Sequence, residues 1–119
     1  MEQLGNSQAF EKARRNIEIV GADFITRHGF TQVPNFILEN TKLTPGEKLA
    51  YAMLLKYNWQ NDSCFPGQKR LAEDMGVALR SVNSYIKGLE KRELLEIERR
   101  GLGKTNIYRL HIRVPKKGG

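Results

Sequence analysis

Near the start of the chain, apolar side chains fall at Phe10, Ala13, Ile17 and Val20. Steps of three, four and three make a helical stripe, with Lys12, Arg14 and Arg15 largely off it. This predicts an N-terminal amphipathic helix over residues 7–20, although residues 17–20 also suit a short strand. Residues 29–34 read as a short extended piece, with Phe30 and Gln32 alternating and Pro34 ending any pairing. At Thr44 the pattern sharpens. Thr44 supplies a capping hydroxyl, Pro45 suits the first helical position, and Glu47 stands three residues after the cap. Residues 49–57 are apolar almost all round, which predicts a buried central helix. Residues 58–66 have the composition of a loop. A short helix over residues 67–75 places Leu71 and Met75 on one face, and Gly76 breaks it. A second helix over residues 79–91 turns Val82, Ile86 and Leu89 inward. Residues 94–99 then alternate as a strand, Gly101, Leu102 and Gly103 turn the chain, and residues 107–112 alternate again.

Length and composition narrow the class. The chain has 119 residues, room for one domain with its own core. No apolar run approaches the roughly 18 residues of a membrane span, and the N-terminus has no signal-peptide pattern. Cys64 is the only cysteine, so no internal disulfide or thiolate zinc cluster is available. A reducing cytoplasm is the expected setting. The net charge of +7 is unevenly placed: residues 1–65 balance seven Lys/Arg against seven acids. Residues 66–119 hold thirteen Lys/Arg against six acids, and therefore the whole excess. Such asymmetry points to a polyanion-facing half, in the nucleoid for a cytoplasmic protein, or to a solvated basic surface.

Two short helices broken by a glycine and followed by a hairpin predict a winged helix-turn-helix. The fold class expected is α+β, mainly α, with a three-helix core, a C-terminal β-hairpin wing and the N-terminal helix. Spacing supports the motif. A small residue at Ala72 lets the second helix cross close over the first, Gly76 supplies a positive φ, and Val82 plugs the gap between them. The expected organisation is an amphipathic segment at 1–28, the winged domain at 29–114 and a disordered tail at 115–119.

Residues 30–110, with FTQVPNFILEN, LTPGEKLAYAMLL, FPGQKRLAEDMGVALRSVNSYIKGLEKRELLEI and IYRL, resemble the winged-helix domains of plasmid and phage replication initiators and DnaD-type primosome proteins. The resemblance implies double-stranded DNA binding, with the second motif helix in the major groove and the wing on the backbone or minor groove. It also implies a role in replication initiation or primosome organisation, with replication proteins as partners. Three positions depart from the pattern: Gly67 and Ala78 stand where such domains tend to carry Ser, and Glu93 stands where a helix-ending Gly is usual.

Within this reading the second helix presents Arg80, Ser81, Asn83, Ser84 and Lys87 as base-contacting candidates. Arg grips guanine bidentately, Asn does the same for adenine, and a short Ser lets the backbone come close. Gln68, Lys69, Arg70 and Lys91, with Arg99, Arg100 and Lys104 of the wing, are the backbone-contacting candidates. Arg109 belongs to the wing as well, and Tyr85 is expected to pack against it. The plain alternative is a solvated polar face with a charged edge strand.

Catalysis finds no support in the pattern. Gly101 to Lys104 lacks the spacing of a phosphate loop and precedes a strand. His28 and His111 have no metal-ligand pattern, Cys64 no candidate base, and Glu73 and Asp74 read as solvent-facing. No enzyme, metal or cofactor is expected. The alternatives are a transcriptional regulator with the same fold and a protein–protein adaptor. The N-terminal stripe could pack back on the domain or form a homodimer seam. A full initiator would carry a further domain after residue 114.

Overall fold

Thr44 starts the central helix by a reciprocal pair of hydrogen bonds. The Glu47 amide donates to Thr44 Oγ1 at 3.1 Å, and the Thr44 amide donates to Glu47 Oε1 at 3.0 Å. This capping box satisfies two amides that the first helical turn leaves without partners. In this computed structural model, which describes residues 16–21, 28–60 and 65–112, the helix it opens runs over Pro45–Gln60. The chain divides into two units, residues 1–30 and 31–119.

The second unit carries α1 (Asn35–Leu38), α2 (Pro45–Gln60), α3 (Gln68–Met75), α4 (Leu79–Lys91), β1 (Leu95–Glu98) and β2 (Ile107–Leu110). This is a winged helix-turn-helix, mainly helical. Helices α2, α3 and α4 enclose a core that includes Tyr51, Leu55, Leu71, Val82, Ile86 and Leu89. Short α1 adds Ile37, fully buried. The wing pairs β1 and β2 antiparallel, with Leu95 opposite Leu110 and Ile97 opposite Tyr108. Beyond that ladder the His111 amide donates to the Leu94 carbonyl at 3.0 Å. Tyr51 Oη donates to the His111 carbonyl at 2.6 Å, so the central helix holds the base of the hairpin.

Four boundaries differ from the sequence reading. Residues 16–20 are neither helical nor paired, and Ile17, Ile19 and Val20 are exposed; the predicted helix does not reach Val20, while residues 7–15 lie outside the described residues. Residues 31–34 form no strand, because Pro34 instead opens α1, a helix the periodicity did not predict. Helix α2 continues through Asn58, Trp59 and Gln60, which by composition read as a loop. These residues project past the core and need only be compatible with a helix. The strands are shorter than the alternation suggested. Cys64 and the tail at 115–119 lie outside the described residues.

Candidate nucleic-acid interface

Helix α3 ends at Gly76, whose φ of 72° and ψ of 34° are left-handed. The Gly76 amide donates to the Glu73 carbonyl at 3.2 Å and the Val77 amide to the Ala72 carbonyl at 3.1 Å. That pair is a Schellman cap, and it turns the chain into α4 within three residues. Ala72 and Val82 are buried, as the motif spacing requires. Ala78 at the N-cap of α4 is extended and offers no side-chain acceptor, and Gly67 at the N-cap of α3 offers none either.

With Val82, Ile86 and Leu89 buried, α4 shows Arg80, Asn83, Ser84, Lys87 and Lys91 to solvent. One edge of the helix is committed elsewhere. Ser81, Tyr85 and Gly88 recur along it at steps of four and three, and all are half-buried. A Cβ placed on Gly46 would overlap the Tyr85 ring, and one placed on Gly88 would overlap the Glu47 carboxylate. Tyr85 thus packs over the N-terminus of α2, a contact the sequence did not suggest. Glu47 serves two contacts, closing the α2 cap with one oxygen and resting over Gly88 with the other. The exposed face is therefore carried on a helix pressed tightly to its scaffold.

At the start of α3, Lys69 and Arg70 are exposed and Gln68 is half-buried. Arg70 Nε donates to Asp74 Oδ1 at 3.0 Å, and Tyr57 Oη donates to Asp74 Oδ2 at 2.6 Å. Asp74 is thus not merely solvent-facing: it links α2, α3 and the arginine. The hydrogen bond from Tyr57, then that from Arg70, holds its carboxyl below the usual aspartate range. Burial first, and the neighbouring carboxylate second, push the Tyr57 hydroxyl well above its usual value. The i,i+4 spacing of Arg70 and Asp74 was readable in the sequence; the tyrosine, seventeen residues away, was not.

In the wing, Arg99 Nη1 lies 3.5 Å from Glu90 Oε2, tying the hairpin to α4. Arg100 Nε donates to the Thr105 carbonyl at 2.8 Å and Nη2 to Thr105 Oγ1 at 3.2 Å, closing the neck of the loop. Arg109 pairs with Glu98 at 2.8 Å. By contrast Lys69, Arg80, Lys87, Lys91 and Lys104 pair with no described carboxylate. The basic side chains of the motif and wing thus separate into four braced by partners, Arg70, Arg99, Arg100 and Arg109, and five that face no described carboxylate.

His111 Nε2 sits 3.8 Å from Glu96. No group of three metal-ligating side chains occurs among the described residues, and none of their helices is long and apolar enough to cross a membrane.

The sequence model of a helix-turn-helix domain family matches residues 41–95. A solved structure described as the N-terminal domain of a DNA-binding protein is similar at 27% identity with a TM-score of 0.57, over 87% of this chain and 88% of that one. No curated protein matches the chain.

Proposed function

We propose that this chain is a non-enzymatic, sequence-specific module for double-stranded DNA, with α4 in the major groove and the wing on the flanking backbone. The observation that carries the reading is the outward face of α4. Arg80, Asn83, Ser84, Lys87 and Lys91 are exposed together and face no described carboxylate, on a helix whose other sides are packed. Such a face combines base-edge chemistry with phosphate attraction. The similarity to a helix-turn-helix family and to a domain of a DNA-binding protein supports it. Lys69 and Arg70 at the opening of α3 suit the phosphate backbone, with Arg70 aimed by Asp74. Ser81 sits at the α2-facing edge and is the least accessible of the base-reading candidates. The resemblance to replication initiators and primosome proteins suggests that the DNA is a replication origin, with replication proteins as further partners.

Selection from a random duplex library, followed by Arg80→Ala and Asn83→Ala, tests the reading. Each variant is expected to lose about 1–3 kcal/mol on the preferred site and far less on random duplex. Equal losses on both would remove the base-reading role. No duplex binding at micromolar protein in low salt would leave the same surface as a protein-docking face.

A further inference from the structure

The wing tip carries an apolar side chain that the fold does nothing to shelter. Leu102 is 102% exposed, as accessible as in an extended peptide, and among the described residues no other large hydrophobe stands so far out. It lies between Gly101 and Gly103, whose φ angles of 93° and 75° bend the chain sharply on both sides. Yet the tip is held. The Lys104 amide donates to the Gly101 carbonyl at 3.3 Å, and Arg100 bonds twice to Thr105 across the neck. Below it, the Arg99–Glu90 pair fixes the wing to α4, and Tyr51 fixes the base of β2 to α2. From Arg99 to Arg109 the hairpin contains no acidic residue. An apolar apex on a braced support, flanked in sequence by Arg99, Arg100 and Lys104, matches a narrow slot walled by phosphates and floored by bases.

We propose that Leu102 enters the minor groove and wedges into a base step, partly unstacking it and bending the duplex. This rests on the DNA-binding reading above. The chemistry fits because minor-groove proteins unstack base steps with apolar side chains while cations hold the flanking phosphates. Pyrimidine–purine steps, which open most easily, are the expected targets. A lipid surface would also offer phosphate beside hydrocarbon, but one leucine is too little apolar surface to hold a protein there.

The test uses the whole chain with its selected duplex, 2-aminopurine placed in turn at each adenine beside the α4 footprint, and a donor–acceptor pair on the duplex ends. The wild type is expected to raise 2-aminopurine emission at least twofold at one step and to shorten the end-to-end distance. Leu102→Ala should abolish both signals and weaken binding about three- to tenfold, leaving the salt dependence unchanged because no charge is lost. Leu102→Phe should restore them. A melting curve shows that each variant is folded, as expected for a fully exposed position. Wild-type binding without an emission change at any step, or identical signals from Leu102→Ala, would overturn the wedge while leaving DNA binding intact. Absence of duplex binding by the wild type would overturn both.

Discussion

Gly76 and Glu93 occupy the same position in two copies of one cap. At the end of α4 the Glu93 amide donates to the Glu90 carbonyl and the Leu94 amide to the Leu89 carbonyl, both at 3.0 Å, repeating the bonds around Gly76. Glu93 adopts φ of 62°, the one non-glycine among the described residues with positive φ. An L-residue there costs roughly 1–2 kcal/mol. The bonds and the burial of Leu89 and Leu94 outweigh that cost. Glu93→Gly should therefore raise stability by about 1 kcal/mol, seen as a melting midpoint several degrees higher. Gly76→Val should lower it by more, since a β-branched residue is a poor fit to that geometry. Nothing lies within 4 Å of a Cβ at Gly76, so the loss comes from backbone conformation alone. Gly76→Asn should accordingly be milder. The sequence disclosed Gly76 because a turn residue announces itself locally. It was silent on Gly46 and Gly88, whose need for a missing Cβ depends on side chains about forty residues away.

Among the elements, α4 is anchored at its C-terminus and less well at its start. Ala78 has φ of −70° and ψ of 153°, the backbone of an N-cap without an acceptor. Ala78→Ser should add roughly 1 kcal/mol to unfolding by denaturant, by accepting from an amide of the first turn. The coupling of α2 to the wing is set by Tyr51, whose hydroxyl burial pushes up to about 12. The folded state thus holds a proton that the unfolded chain releases near pH 10. The stabilisation is complete below pH 10 and fades as pH rises toward 12. Tyr51→Phe should flatten that alkaline limb, most clearly with Tyr57→Phe beside it, since Tyr57 shifts the same way. Asp74 acts at the other end, its contribution lost as pH falls below the ordinary aspartate range. Helix–turn–helix order and the wing were legible because periodicity and glycine placement are local signals. The full length of α2 was not, because Asn58, Trp59 and Gln60 have the composition of a loop, nor was α1, whose four residues are too few to show a helical period.

For the whole molecule, charge is the property that pairs least with itself. Besides the base-reading candidate Arg80, four cations on α3, α4 and the wing face no described carboxylate, which predicts a log–log salt slope of about −3 to −4 for duplex binding. Lys87→Ala with Lys91→Ala should remove about two units of it, measured by fluorescence polarisation across a salt series. Arg99→Ala should change the slope less, because Glu90 already holds that guanidinium. The basic half was visible in composition. Which of its cations are spent on internal bracing was not, since Glu90, Asp74 and Thr105 become their partners only through folding.

The contact of Tyr85 with Gly46 also constrains how this sequence can drift. Any side chain at position 46 must first find room, and only a smaller residue at position 85 would give it. The same reciprocity links positions 47 and 88. Substitutions at these sites should therefore be epistatic: harmful one at a time, tolerated in compensating pairs. Among descendants of this chain the two pairs should covary even where the exposed face of α4 diverges freely.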